Sequence, residues 1–358
     1  MAAPEDAREF IMRLTNRNAE GMNPHTRVEN EVAMISLAAD ALSGFEPHIV
    51  PSVYGWGSAA LPTSQGWILQ ELMPGVPLDE TFDDRSLEEK QNILGQMATF
   101  LKALQDFQLP ESIKEYGGVT FAESGHIVSA QMTSVGSGPW PSYEKYFLDR
   151  LERALRTAGS NPYINGWQAN GVRKRLEDFV TSGVPAQFEK FRSSNDKAIV
   201  HADFPPNNIL YDPSNKRLTA LIDDDFACIL HPSYDLRSFS GAGSQFQGWS
   251  DIESSEQTAL RDAKLHGFPS PLPEDTEDGV KWDVAKAWED ELEKLDVKRP
   301  RTMEGIEKVA DVDAVLRSIL PWRVTNSDIL RLQSEEVILK CRNENEGQLI
   351  KLLDRLGF

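Results

Sequence analysis

One stretch of this chain limits the folds open to it more than any other. Two short apolar runs, Ile199-Val200 and Ile209-Leu210-Tyr211, bracket a loop that reads His201-Ala-Asp203-Phe-Pro-Pro-Asn-Asn208. Fifteen residues past Asn208 stands Asp223, at the end of a third apolar run and the start of Asp223-Asp224-Asp225-Phe-Ala227. Short β-type runs bounded by turn residues read as strands. Acids and an amide thus sit on neighbouring strand–loop junctions, an oxygen-rich set that suits a hard cation such as Mg2+. A further acid in the first loop is placed to orient a hydroxyl.

The flanks of that stretch are organised differently. Phe10 to Leu14 reads as a strand with one cation, Arg13, inside it. Val28, Val32, Ile35, Ala39 and Leu42 recur at three- to four-residue steps, which predicts an amphipathic helix ending near Gly44 and Pro47. Two more strands are expected, at Val50–Gly55 and Gly66–Met73, before the strong break at Pro74-Gly75. Beyond the break helical spacing dominates: 87–104, 143–158, 172–191, 282–295, 303–320 and 328–356. Gly117–Phe121 and His126–Val128 suggest a short hairpin, and the Pro-rich acidic link at Phe268–Asp278 a surface loop. The expected division is a small, β-rich part over residues 1–74 and a large, mainly helical part over 75–358.

His-x-Asp-x-x-x-x-Asn (His201, Asp203, Asn208) followed by Ile-Asp-x-x-x-Ala (Ile222, Asp223, Ala227) resembles the aminoglycoside phosphotransferase and choline kinase-like family, small-molecule relatives of the protein kinases. His-Pro-Ser-Tyr-Asp235-Leu is similar to that family's downstream Asp-Leu, and Trp67–Gly75 and Tyr116–Phe121 resemble blocks in many fungal members. The resemblance runs over roughly residues 10 to 240. It implies an α+β, two-lobed protein-kinase-like fold. It implies transfer of the ATP γ-phosphoryl to a hydroxyl of a small molecule, with Mg2+ neutralising the phosphates.

Carried over by position, the roles are these. Asp203 would be the catalytic base or would orient the acceptor hydroxyl, and His201 would brace its loop. Asn208 and Asp223 would hold Mg2+. Glu31 would pair with Arg13 and hold it against the phosphates. Gln70, Glu71, Leu72 and Met73 would offer backbone contacts to the nucleotide base. Two departures stand out. The family places Lys where Arg13 stands, and Arg binds phosphate as a flat fork with a different reach. Kinases of this type also cover the phosphates with a Gly-rich hairpin upstream of that strand, whereas only nine residues precede Phe10 and none is Gly. The expected small lobe is therefore truncated, with an exposed sheet edge. That leaves a second reading open, a catalytically weak pseudokinase-like binding protein. A third, a metal-dependent hydrolase, gives Asn208 and the Pro74-Gly75 break no role.

Several residues carry competing readings. Asp225 competes with Asp223 as the ligand, and strand alternation would put those two on one face and Asp224 on the other. Glu29 competes with Glu31. Gly241-Ala-Gly243-Ser-Gln-Phe-Gln-Gly248 is glycine-rich but does not open a helix after a strand, so it reads as a surface loop. Cys228 reads as a small buried residue, and the Trp282/Trp288 helix as core or pocket wall.

Charge narrows the partners. With 56 acids against 37 bases the formal net charge is -19, which opposes binding to nucleic acid and to anionic membranes. No apolar run reaches the ~18–20 residues of a membrane span. Two cysteines, Cys228 and Cys341, imply no disulfide framework. With an acidic, polar N-terminus, this reads as a cytoplasmic protein. Between Val76 and Pro141 ten acids face four bases. Such a face would draw a cationic acceptor, or serve only to keep the surface solvated.

Overall fold

The computed structural model of the chain describes residues 9–16, 22–61, 64–167, 170–204, 206–236, 254–275 and 279–358. The glycine-rich segment 241–248 lies outside the described residues. The chain divides into two compact units, one drawn from Met1–Pro141 and Asn195–Thr302, the other from Ser142–Ser194 and Met303–Phe358.

The first unit begins with β1 (Phe10–Leu14), α1 (Arg27–Ala41), β2 (Val53–Gly57) and β3 (Trp67–Glu71). The strands form an antiparallel sheet in the order β1-β3-β2. Its register sets Arg13 opposite Ile68 and Ile11 opposite Gln70. Alternation on β3 turns Ile68 and Gln70 inward, and Ile68 packs on Val28 and Val32 of α1. That contact packs the Val28/Val32 part of the stripe against this sheet. Among the described residues β1 is an edge strand, and Phe10, Met12 and Leu14 are more than half exposed along it.

After Pro74-Gly75 come β4 (Val76–Pro77), α2 (Asp79–Phe82) and α3 (Leu87–Asp106), the last opened by a capping box between Ser86 and Glu89. Gly75 has φ +119°, and a Cβ there would lie 2.5 Å from Thr219 Oγ1, so the break needs glycine both for its backbone and for the close approach. β5 (Gly118–Phe121) and β6 (Ile127–Ala130) form the expected hairpin.

α4 (Tyr143–Ser160), α5 (Val172–Asp178) and α6 (Val184–Phe188) belong to the second unit. The single helix expected over 172–191 is broken here: Phe179–Gly183 form one wide π-type turn between α5 and α6. Pro185 stands in the first turn of α6. Its ring has no N–H and would crowd the carbonyl four residues back, and the wide turn removes that conflict. β7 (Ala198–Val200), β8 (Ile209–Asp212), β9 (Arg217–Leu221) and β10 (Cys228–Leu230) return to the first unit. β10 pairs with β7, and β8 lies between β4 and β9. Cys228 is buried. α7 (Ser255–His266) and α8 (Trp282–Lys294) complete this unit, with Trp282 and Trp288 buried.

The second unit ends in α9 (Ile306–Ile319), α10 (Trp322–Thr325), α11 (Ser327–Leu332) and α12 (Glu335–Leu356). The long helix expected over 328–356 is two helices, because Ser334 leaves the helical region and its hydroxyl caps α12 at Val337 N. Among the described residues no helix is long and apolar enough to cross a membrane.

Candidate functional site

β7 delivers the chain into the His201–Asn208 loop, and a buried carboxylate shapes its start. Asp235 accepts from the backbone N–H of His201 at 3.3 Å and of Ala202 at 2.7 Å. Ala202 is thereby held at φ +64°, a left-handed backbone an alanine rarely adopts. Burial pushes the Asp235 carboxyl up to about 6, against the pull of His201 and of those two amides. The His201 ring is buried, and its Nε2 lies 3.0 Å from the carbonyl of Ile222. Since a carbonyl only accepts, Nε2 carries the proton. Nδ1 has no hydrogen-bond partner among the described residues.

Asn208 closes the other end of the loop. Its Nδ2 donates to the Asp203 carbonyl at 3.1 Å and to Asp203 Oδ2 at 3.0 Å, and its own carbonyl accepts from Ile222 N at 3.0 Å. One peptide segment therefore laces two loops together: Ile222 gives its N–H to Asn208 and receives the His201 ring on its carbonyl. The next residue is Asp223.

Asp223 sits at φ +69°, ψ 59°, followed by a 3-10 turn over Asp224–Phe226. Asp tolerates this left-handed conformation better than most residues. Asp223 and Asp225 both reach Arg13, as a shared face would require, but a tight turn and not strand alternation brings them together. Arg13 NH2 lies 2.8 Å from Asp223 Oδ1 and 3.5 Å from Asp225 Oδ2, while its NH1 pairs with Glu31. Arg27 holds Asp225 by both oxygens, Nε to Oδ1 at 3.0 Å and NH2 to Oδ2. Bidentate geometry of this kind is among the stronger charge-assisted contacts.

These contacts split the acids electrostatically. Burial raises the Glu31 carboxyl well above the ordinary range and the neighbouring Asp225 charge adds to it, outweighing Arg13. Burial also works against ionised Asp225, but the hydrogen bonds and charge of Arg27, with Glu31 and Arg13, hold it below the ordinary value. Asp225 is therefore the ionised member of the pair and Glu31 the one that keeps a proton to higher pH. Burial raises Asp224 too, partly offset by His201.

At the end of β3 the four residues 70–73 separate. Gln70 is buried, and its Oε1 has no hydrogen-bond partner among the described residues. Glu71 is tied down by His48 Nε2 at 2.7 Å and Ser52 N at 3.2 Å; these outweigh burial and lower its pKa. Met73 joins Leu210 and Ala220 in an apolar cluster, with Ile222 against it. Leu72 is half-exposed.

Two residues here escaped sequence reasoning. Arg27 lies four positions before Glu31 on the same face of α1, a spacing that signals a partner. Buried Asn30 donates to Ala227 O at 3.0 Å and accepts from Val119 N at 2.9 Å, stapling α1 to β5 and to the acidic turn. Nothing in the sequence pattern distinguishes that asparagine.

The oxygen donors of Asn208 and Asp223 suit a hard cation such as magnesium. Asn208 Oδ1 accepts from Asn207 Nδ2 at 3.1 Å and Asp223 Oδ1 from Arg13 at 2.8 Å, so a cation here would take the remaining lone pairs and Asp223 Oδ2, and Mg2+ commonly takes only one or two protein ligands. Among the described residues no three His, Cys, Asp or Glu side chains converge as a closed metal cage.

The pattern of the phosphotransferase enzyme family, APH, matches residues 3–282. No curated protein matches the chain. Among solved structures, the ADP-bound aminoglycoside phosphotransferase APH(2'')-Ib superposes with TM-score 0.53 at 16% identity, covering 96% of this chain and 88% of that one. A provisionally assigned aminoglycoside phosphotransferase from Ralstonia eutropha gives TM-score 0.51 at 15% identity, covering 97% and 86%. At such identities the likeness shows the fold: α+β, of the two-lobed protein-kinase-like class. A family pattern that spans well over half of the chain, on a fold of that class, places this protein: the chain belongs to the phosphotransferase enzyme family.

Proposed function

We propose that the protein is a small-molecule kinase that moves the γ-phosphoryl of ATP to a hydroxyl group, with Mg2+ as the companion ion. The observation that carries this reading is the lacing at Ile222. It ties together the two loops that carry Asp203, Asn208 and Asp223. In this reading residues 1–74 form the nucleotide side and 75–358 carry the reacting loops, in a cytoplasmic protein without nucleic-acid or membrane partners.

Each group then has a task. The apolar cluster of Met73, Leu210 and Ile222 would back the base, beside the backbone of residues 70–73. Arg13, steadied by Glu31, faces the phosphates. Asn208 and Asp223 would hold Mg2+, which when bound neutralises charge on the phosphate oxygens. Asp203, kept in place by the Asn208 amide, accepts the proton of the acceptor hydroxyl. His201 positions the loop and does not react. The acceptor oxygen bonds to the γ-phosphorus as the bond from that phosphorus to the β,γ-bridging oxygen breaks, and ADP leaves. Most of the barrier lowering in such transfers comes from positioning and charge stabilisation.

Removing either acid should cost at least about a thousandfold in ATP turnover, roughly 4 kcal/mol of barrier. ATP consumption driven by a panel of hydroxylated metabolites, compared for the wild type, Asp203→Ala and Asp223→Ala, tests this. Turnover unchanged in both variants refutes it. A second reading, a binding protein without catalysis, draws on Arg13, whose guanidinium already occupies Asp223. It predicts no rise in melting temperature with millimolar Mg2+-ATP, whereas a nucleotide at about a hundred times its Kd stabilises by roughly 2.7 kcal/mol.

A further inference from the structure

A cavity of about 440 Å3 opens on the first unit, and none of the residues of the candidate site lines it. Its size falls in the range of small-molecule pockets, about 300–1,000 Å3. The apolar part of its wall is Phe45, Ile49, Phe100 and Leu218, with the two phenylalanine rings edge to face at 5.0 Å between centroids.

The polar part of the wall carries two cations and, among the described residues, no acid. Gln96 is fully committed: its Nε2 donates to Asn92 Oδ1 at 2.8 Å and to Lys216 O at 3.1 Å, and its Oε1 accepts from Leu218 N at 2.9 Å. Thr99 Oγ1 donates to Gly95 O at 2.8 Å. Arg217 commits NH2 to Glu46 O at 2.8 Å, and Lys216 lies 3.0 Å from Glu89. What these bonds leave over for an occupant is the amide N–H pair of Asn92, the rest of the Arg217 fork and the remaining ammonium protons of Lys216. Asn215, also in the wall, donates to Asp212 Oδ2 at 2.5 Å and keeps its amide oxygen as an acceptor, but Arg217 and Lys216 carry positive charge, on a chain whose net charge is -19. An apolar wall beside two cations, Lys216 shared with Glu89 and Arg217 only partly used, complements a ligand with a flat or branched hydrocarbon body and an anionic acceptor group. The wall also reaches the acidic turn through the backbone, since Ile49 O accepts from Leu221 N at 2.8 Å, two residues before Asp223.

We infer that this cavity is a second small-molecule site, separate from the nucleotide and acceptor positions, that takes an organic anion: an aromatic or aliphatic carboxylate or sulfonate. The probe is 8-anilinonaphthalene-1-sulfonate, titrated by fluorescence into the full chain. One saturable site per chain is expected, undisturbed by excess Mg2+-ATP. Thr99→Trp, which fills the cavity, should abolish it. Arg217→Glu, at an exposed position, should weaken it at least tenfold while the melting temperature stays at the wild-type value. No saturable binding, displacement by Mg2+-ATP, or wild-type affinity in the folded Arg217→Glu variant would each overturn the inference, and the Arg217 arm decides even where Thr99→Trp does not fold.

Discussion

Arg27 offers the sharpest test of how the acidic turn is held. Its guanidinium meets both oxygens of Asp225, and the two side chains are only 14% and 10% exposed. Replacing Arg27 by Gln leaves Asp225 buried with Arg13 as its one remaining cation among the described residues, at 3.5 Å and already shared with Glu31 and Asp223. Breaking one side of a buried pair costs about 3–5 kcal/mol, because the other charge stays behind. The partial claim of Arg13 on Asp225 puts the expected loss near the lower end, about 3 kcal/mol. Asp225→Asn alone should also destabilise, and the double variant should lose about 1.5–3 kcal/mol less than the sum of the singles. Urea unfolding at pH 7, followed by circular dichroism, measures all three. The pH dependence follows from the sign of the shift. The folded-state pKa of Asp225 is lowered, so its contribution is present above the ordinary carboxylate value near ~3.9 and is lost as pH falls through the lowered value. The deficit of Arg27→Gln should therefore shrink on acidification. Additive single and double variants, or a deficit that is the same at pH 3 and pH 7, would refute this account.

Other outcomes follow from neighbouring residues. Glu31 has the opposite sign: its folded pKa is raised, so its contribution is present below the ordinary carboxylate range and is lost as pH rises through the raised value. Glu31→Gln should thus be less costly to stability at pH 8 than at pH 4, which paired unfolding curves at the two pH values would show. The same variant should weaken Mg2+-ATP binding, read as a smaller ligand-induced melting shift. Ala202 is held at φ +64°. Relief of about 1–2 kcal/mol of left-handed backbone strain, less the extra chain entropy of glycine, predicts that Ala202→Gly stabilises by up to about 1 kcal/mol, while Ala202→Val destabilises.

Much of the local architecture was legible beforehand. Phe10–Leu14 and the α1 stripe read correctly, because a short apolar run and three-to-four spacing are properties of a few adjacent residues. Arg13 and Glu31, chosen as partners from a resemblance, do meet. The misread helices failed for equally local reasons that the periodicity hides, Pro185 in one and the Ser334 cap in the other. The Asp223-Asp-Asp225 run was legible as chemistry but not as geometry, since a left-handed residue followed by a 3-10 turn leaves no mark on the hydrophobic pattern.

The residue sequence by itself determined which loops carry acid and amide groups, where the chain breaks at Pro74-Gly75, and which family pattern it matches. Partner choice was decided only by tertiary structure. Arg27 bonds to a residue 198 positions away, Arg13 to one 210 away, and Asn30 reaches two separate elements. Such contacts exist because burial strips water from charged and polar groups and makes each one find a counterpart wherever the fold brings it. The same applies to the cavity at Phe45 and Phe100, which is a space between elements and so has no signature in either of them.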